Sequence, residues 1–199
     1  LVRASSAPEL ALASAFRSSV FEERRGVRFD EELEACRDRA GHVFLLFDRG
    51  ELVATGRALA FPSSLSPLAG LAPDLGTSGA DSEIGRIAAL CSPDGARYSL
   101  LLLALGASFL LRHTSFRRYL AYCHPALVDL YRSAGAHDTG RACRVPGRSA
   151  AHRILCGSYA DVLRLGSALV RAGSSASGGA LRAEFVVKEP ELSALGPAV

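Results

Sequence analysis

Apolar positions recur along this chain at several spacings, and each spacing predicts a different element. From Pro8 to about Arg24, Leu12, Phe16 and Val20 return every fourth residue, the mark of an amphipathic helix. Gly26 stops it, because glycine enters left-handed backbone cheaply. Val27 to Arg39 carries no such stripe; it is acidic, then mixed, and reads as a loop or short helix. His42 to Phe47 is a continuous apolar run, Asp48-Arg49-Gly50 a turn, and Glu51 to Phe61 alternates with Val53, Thr55, Arg57 and Leu59 on one face. That pattern predicts a β-hairpin at the start of a sheet.

Pro62 to Ala80 is rich in Ser, Gly and Pro, which predicts a long loop or lid over a substrate. Glu83 to Leu90 reads as a strand, and Ser92 to Gly95 introduces a leucine-rich helix from about Ala96 to Arg112. Its apolar stretch, Ser99 to Leu111, falls short of the ~20 residues that cross a bilayer and predicts a buried helix. Arg118 to Cys123 reads as a strand. Pro125 then opens a helix with Leu127, Leu130, Tyr131 and Ala134 on one face, closed by Gly135. Arg141 to Val145 and Ala151 to Cys156 are candidate strands, and Ser158 to Arg171 is a candidate helix. Ser174 to Gly179 reads as a flexible linker, and Ala180 to Val199 as a short strand with a disordered end. The sum is one α/β (α+β) domain over residues 1–173, with a linker and tail over 174–199.

Composition narrows this little. With 49% apolar and 22% charged residues in 199, the chain buries a core without a partner. A net charge of +3, carried by arginines and the lone Lys188, does not argue for nucleic acid and would tolerate an acidic protein. Five cysteines without CxxC spacing indicate neither a disulfide framework nor a zinc site, so no metal is expected. Reduced thiols, the lack of a charged-then-apolar leader and the lack of a transmembrane segment predict a cytoplasmic protein. A chain starting at Leu1 with no methionine reads as trimmed.

Four short motifs stand in order between residues 9 and 145: Arg17-x3-Phe21-x-Glu23, Asp38-x3-His42, Gly56-Arg57 and Glu83-x2-Arg86. In order and spacing they resemble the GNAT acyltransferases, in particular the branch holding N-acyl amino acid synthases and acyl-homoserine-lactone synthases. The resemblance implies a mixed central sheet, splayed open around an acyl thioester and flanked by helices. It also implies transfer of an acyl group, expected to be fatty, to the amine of an amino acid or related small molecule. Gly85 stands where the branch usually has serine, Glu32 and Glu34 where the lactone synthases carry aspartates, and there is no tryptophan. These departures move the expectation towards an N-acyl amino acid synthase-like enzyme, with a lactone synthase third.

The donor follows from the turn after the central strand. Cys91-Ser92-Pro93-Asp94-Gly95-Ala96-Arg97 has one glycine; Pro93 lacks an amide donor and Asp94 repels phosphate. A CoA pyrophosphate is poorly served there, whereas the phosphopantetheine of an acyl carrier protein presents none. Asp94 also reads as an ordinary helix N-cap. The expected partners are an acyl carrier protein and a small-molecule amine acceptor, with no permanently bound cofactor. The alternatives are a CoA-dependent GNAT acetyltransferase fed by acyl-CoA, or a non-catalytic GNAT-like binding module.

Acyl transfer to an amine needs a proton acceptor, oxyanion donors and a proton for the leaving thiol. Glu83 is the candidate base, acting directly or through water, with burial raising its pKa; pairing with an arginine across the sheet is the alternative. Glu83 and Arg86 cooperate only if a bulge brings them to one face; without one, Arg86 holds the first-helix or acidic-loop carboxylates in place. A backbone amide around Ile87, Ala88 and Ala89 is the candidate oxyanion donor. By the resemblance, Tyr131 protonates the leaving thiolate, or, lying on the apolar face of its helix, is core; Phe21 lines the substrate side of the first helix. Arg17 and Arg57 either bind the acceptor's carboxylate or pair with Glu23, Glu32 or Asp38. His42 supports Asp38 or is simply structural. Cys123-His124 are adjacent on a strand and point apart, which argues against covalent catalysis. The leucine-rich helix with Phe109 walls an acyl pocket or is plain core. Arg112, Arg117, Arg118 and Arg132 form a basic patch for an acidic carrier or are scattered surface charges.

Overall fold

A computed structural model describes residues 1–23, 26–77 and 79–176. One seven-stranded mixed sheet organises them, in the order β1-β2-β3-β4-β5-β7-β6. The strands are β1 (Val2–Ala4), β2 (His42–Asp48), β3 (Glu51–Ala60), β4 (Ser82–Ala89), β5 (Arg118–Cys123), β6 (His137–Cys143) and β7 (His152–Ser158). All neighbours are antiparallel except β4 and β5. The short β1, pairing with Val43 to Leu45, has too few residues to show a period and was not foreseen. β6 begins at His137, earlier than the expected Arg141, because its polar first half lies on the outer edge of the sheet.

Helix α1 (Ala7–Ser18) starts in a capping box: the Ser6 hydroxyl accepts from the Glu9 amide, and the Glu9 carboxylate accepts from the Ser6 amide. A π-helical turn, Ser19–Glu23, continues it. Gly26 then takes φ +62°, donating to the Glu22 carbonyl, while Val27 donates to that of Phe21. The next segment is a full helix, α2 (Glu31–Ala40), where the sequence left open a loop. It shows no apolar stripe because its inward face is charged: Glu34 and Asp38, one turn apart, are the residues it buries. Asp30 caps it, and its acidic first and basic last turns suit the helix dipole.

The expected lid is core. Residues 62–80 hold a short helix, α3 (Pro67–Leu71), and a 3-10 turn, Pro73–Thr77, and they bury Leu68, Ala72 and Leu75 with Phe61, Leu120, Cys143 and Ile154. Their Gly, Pro and Ser content serves tight turns rather than mobility. On the opposite face lies α4 (Gly95–His113), packed on β2, β3 and β4 and against α6 (Tyr159–Ala176). Leu102, Ala107 and Leu110 of α4 meet Phe44, Ala58, Ile84, Tyr159 and Val162 in the main core, each large side chain adding ~1.5–3 kcal/mol. At 19 residues α4 is long and apolar enough to cross a membrane, longer than the Ser99–Leu111 run suggested; it is the core helix of this sheet. Gly95 is required at its start, since a Cβ there would lie 2.3 Å from the Leu90 carbonyl oxygen. After β5 a 3-10 turn, Pro125–Leu127, leads into the short α5 (Val128–Ser133). α6 continues to Ala176, past the point where the sequence suggested a linker; the expected short strand and end beyond it lie outside the described residues.

Candidate active site

Two irregularities in β4 make the site. The first is its partnership with β5, which pairs Ser82 with Tyr119, Glu83 with Leu120 and Ile84 with Ala121, and then stops. Beyond Ile84 the parallel strands diverge, and a cleft of about 450 Å³ opens between Gly85, Arg86 and Ile87 on one side and Tyr122 and His124 on the other. The second is a bulge. Thr55 and Arg57 of β3, two apart, oppose Ala88 and Gly85 of β4, three apart, so β4 holds one extra residue. Arg86 sits in that stretch at φ +56°, left-handed backbone that costs a non-glycine residue ~1–2 kcal/mol.

The bulge decides the question of faces. Glu83, Gly85 and Arg86 all border one small recess with Arg57 and Tyr122, whereas Ile84 and Ile87 pack against the main core. Arg86 is held in its unusual backbone by its side chain. Nε and Nη2 each donate to Glu34 at 2.9 Å, and the guanidinium carbon lies 3.9 Å from the Phe29 ring centroid.

Glu34 is the hub of a buried ion network. Arg57 reaches it at 3.0 Å and Arg37 at 2.7 Å; Arg57 also bonds Asp38 at 2.7 Å, and Arg17 forks onto Asp38. Burial by itself would raise the Glu34 carboxyl, but the hydrogen bonds and charge of Arg86, with Arg57 and Arg37, override it and hold the pKa at about 2. Arg17 and Arg57 are therefore engaged by carboxylates and do not line the cleft. Of their expected partners Asp38 is in place, Glu32 is exposed and the Glu23 side chain lies outside the described residues; Glu34, the principal partner of Arg57, was not among them.

Glu83 makes no ion pair among the described residues. It is 2% exposed and accepts from the Ser66 hydroxyl and, at 3.1 Å, from the Leu68 amide. Burial pushes its carboxyl up, and those two hydrogen bonds, with Arg57 and Arg86, oppose the rise. It stands one layer behind the cleft, with Gly85 and Arg86 between.

The other candidates divide. Phe21 lines the cleft, edge-on to Phe29 with ring centroids 5.4 Å apart; Tyr131 and Ile87 line it too, while Ala88 and Ala89 lie opposite Thr55 and Ala54 in the β3 ladder. Cys123 is buried, which pushes its thiol to about 11, and His124 Nδ1 accepts from the Ala126 amide, so the pair is no nucleophile and base. His42 does not support Asp38; its ring packs on Phe109 and Phe116, with Nδ1 buried and unpartnered. The leucine helix contributes Leu103 to the cleft and is otherwise core. Asp94 occupies the N-cap position of α4 without a capping hydrogen bond. Arg112, Arg117, Arg118 and Arg132 are all exposed, Arg132 facing Asp129 at 3.7 Å.

Sequence reasoning missed Phe29, Ser66, Tyr122, Arg148 and His152, and it named Glu34 only as one of the acidic carboxylates after the first helix, not as the hub. For Glu34 a usable clue existed, the i, i+4 spacing to Asp38, but it needs the helix to be recognised first. The others come together only by topology.

No protein-family model matches the sequence, and no curated protein does. Solved structures match the fold. FeeM, an N-acyl amino acid synthase from uncultured soil microbes, superposes with a TM-score of 0.67 at 16% identity, over 85% of this chain and 95% of FeeM. TofI, in a ternary complex with an inhibitor and MTA, gives 0.63 at 22% identity over 83% and 92%. BjaI, a CoA-dependent acyl-homoserine lactone synthase with SAM and isopentyl-CoA, gives 0.63 at 17% identity over 83% of each chain. The chain has the fold of these acyltransferases, the GNAT fold, as its motif order implied.

Proposed function

We propose that this chain is an N-acyltransferase that moves an acyl group from the phosphopantetheine thioester of an acyl carrier protein to the amine of an amino acid or related small molecule. The observation that carries this reading is the wedge between β4 and β5, which opens beside the bulged Arg86 into a cleft large enough for a pantetheine arm and a small acceptor. Among the described residues the cleft lining includes Arg28 and Arg148, beside the Glu34-bound Arg86, and no Asp or Glu, so it suits an acceptor that carries a carboxylate better than a polycation.

In the reaction the amine nitrogen bonds to the thioester carbonyl carbon and the carbon–sulfur bond breaks. An ammonium acceptor sheds two protons on the way to the amide. Glu83 takes one through water and passes it to solvent, its raised pKa matching that task. Tyr131 delivers the other to the departing thiolate. A backbone amide of the Ile87–Ala89 stretch faces the oxyanion. Arg17 and Arg57 act as positioning residues, holding Glu34 and through it Arg86.

The carrier-protein donor is supported by the turn before α4. The Ser92 amide bonds the Leu90 carbonyl, the Gly95 amide bonds that of Ser92, and Pro93 has none to offer. The exposed Asp94 carboxylate faces Arg97 at 4.0 Å, so the turn carries no uncompensated positive charge from that pair for a pyrophosphate. BjaI, CoA-dependent by description, keeps acyl-CoA as the second reading. Mass-spectrometric product detection tests both, with acyl-carrier-protein and acyl-CoA donors in parallel and pooled amino acids as acceptors. N-acyl products from carrier donors are expected. Product from CoA donors alone overturns the donor assignment, and no product from either leaves a binding module.

A further inference from the structure

We infer that His152, His124 and Arg148 form the docking subsite for the acceptor's amino-acid group: Nε2 of His152 accepts from the amine, while Nε2–H of His124 and the Arg148 guanidinium hold the carboxylate. The inference rests on the acyl-transfer reading for its purpose, and on geometry that reading does not use.

The hydrogen bonds of the two rings assign their tautomers. Nδ1 of His152 lies 3.1 Å from the Ala150 carbonyl oxygen, which has no proton to give, so Nδ1 carries the hydrogen and Nε2 keeps a lone pair. His124 is the reverse: its Nδ1 accepts from the Ala126 amide at 3.2 Å, so its hydrogen is on Nε2. In both rings the Nδ1 edge faces the residue's own backbone, leaving the Nε2 edge turned away from it. Both residues line the cleft, their rings nearly perpendicular with centroids 6.1 Å apart, so the same wall carries one ring with an acceptor nitrogen and one with a donor.

The rest of the lining sharpens this. A free amine needs an acceptor, and among the described cleft residues there is no carboxylate to supply one. The remaining polar side chains are arginines, hydroxyls and the Cys123 thiol, which leaves His152 Nε2 as the basic atom. Burial lowers the His152 pKa, the hydrogen bond to the Ala150 carbonyl opposes that, and the charge of Arg148 lowers it further, so the lone pair stays available at neutral pH. The other groups beside the ring are Tyr122 on β5, 6.0 Å away by centroids, and Cys143 opposite on β6; neither is a carboxylate that would hold the ring protonated. Arg148 is half-buried in the cleft wall and makes no ion pair among the described residues, unlike the arginines around Glu34. A zwitterion with adjacent amine and carboxylate matches this trio.

Imidazole nitrogen NMR on the 15N-labelled chain, with His124→Gln and His152→Gln variants for assignment, reads the tautomers directly. The expected result is a hydrogen on Nδ1 of His152 and on Nε2 of His124. Adding single L-amino acids should then shift both rings. An N-acetyl derivative should lose the His152 response, and a C-terminal amide the His124 response. Reversed tautomers, or no response of either ring to any amino acid, overturn the subsite. In turnover, His152→Gln and Arg148→Met should each raise the acceptor KM about tenfold, as expected for a lost charged hydrogen bond, and leave the donor KM unchanged. An active enzyme whose variants keep the wild-type acceptor KM, or a carboxylate preference lost in Arg28→Ala instead, overturns the subsite while acyl transfer stands. An inactive wild type overturns acyl transfer, and the NMR titration then decides the subsite alone.

Discussion

Arginines occupy two neighbouring regions of this molecule in opposite states. Behind β4, Arg17, Arg37, Arg57 and Arg86 are all tied to Glu34 or Asp38, two carboxylates nearly out of water. In the cleft in front, Arg28 and Arg148 make no ion pair among the described residues. The same side chain is framework in one place and ligand-binding surface in the other. What separates them is whether the fold supplies the counter-charge or leaves it to an incoming molecule.

The contrast breaks most severely at the hub. Glu34→Ala strands Arg86, leaves Arg57 with Asp38 alone, and should cost ~3–5 kcal/mol in urea unfolding, the penalty for removing one partner of a buried pair. A loss below ~1 kcal/mol would mean the network is wetter than its burial indicates. Next in size is Glu83→Gln, which keeps the hydrogen bond from Ser66 in shape and removes the proton acceptor; kcat should fall at least ~10²-fold with the fold and donor binding intact. Unchanged turnover would remove Glu83 from the chemistry.

Acid titration separates the two carboxyls by sign. The Glu34 pKa is lowered from 4.5 to about 2, so its contribution to stability is complete above 4.5 and is lost as pH falls towards 2. The Glu83 pKa is raised, so the folded chain holds that proton more tightly than the unfolded one, and stability declines as pH rises from the ordinary carboxylate value through the raised one. Unfolding of Glu34→Gln against wild type across pH 2–7 should show the acid-labile component vanish in the variant. Smallest of all is Arg148→Met, which should move the urea midpoint by less than ~0.5 kcal/mol, since no folded-state partner is lost. A larger drop would place Arg148 with the framework arginines.

Legibility in the sequence tracked how local each feature is. The hairpin from His42, the leucine-rich helix and the strand Arg118–Cys123 were readable because a period of two, a period near four or an apolar run is set by neighbours along the chain. α2 was not, because its buried face is Glu34 and Asp38, and a charged inward face looks like a solvated one until the arginines that meet it are known. For 62–80, read as a long loop or lid, the packing was not legible, because turn-forming residues look the same whether the turn is loose or packed.

Order and spacing of Arg17, Asp38, Arg57, Glu83 and Arg86 carried the fold, since those residues sit at fixed points on a helix, a hairpin and a central strand. Sequence alone determined the hairpin, the central strand and the leucine-rich helix, and the arginines and carboxylates that had to be paired around them. The tertiary structure decided which charges meet. The bulge that turns Arg86 to the face of Glu83, the divergence of β4 from β5, and the approach of His152 to His124 each depend on strand register and crossovers, which join residues far apart in the chain and leave no periodic trace along it.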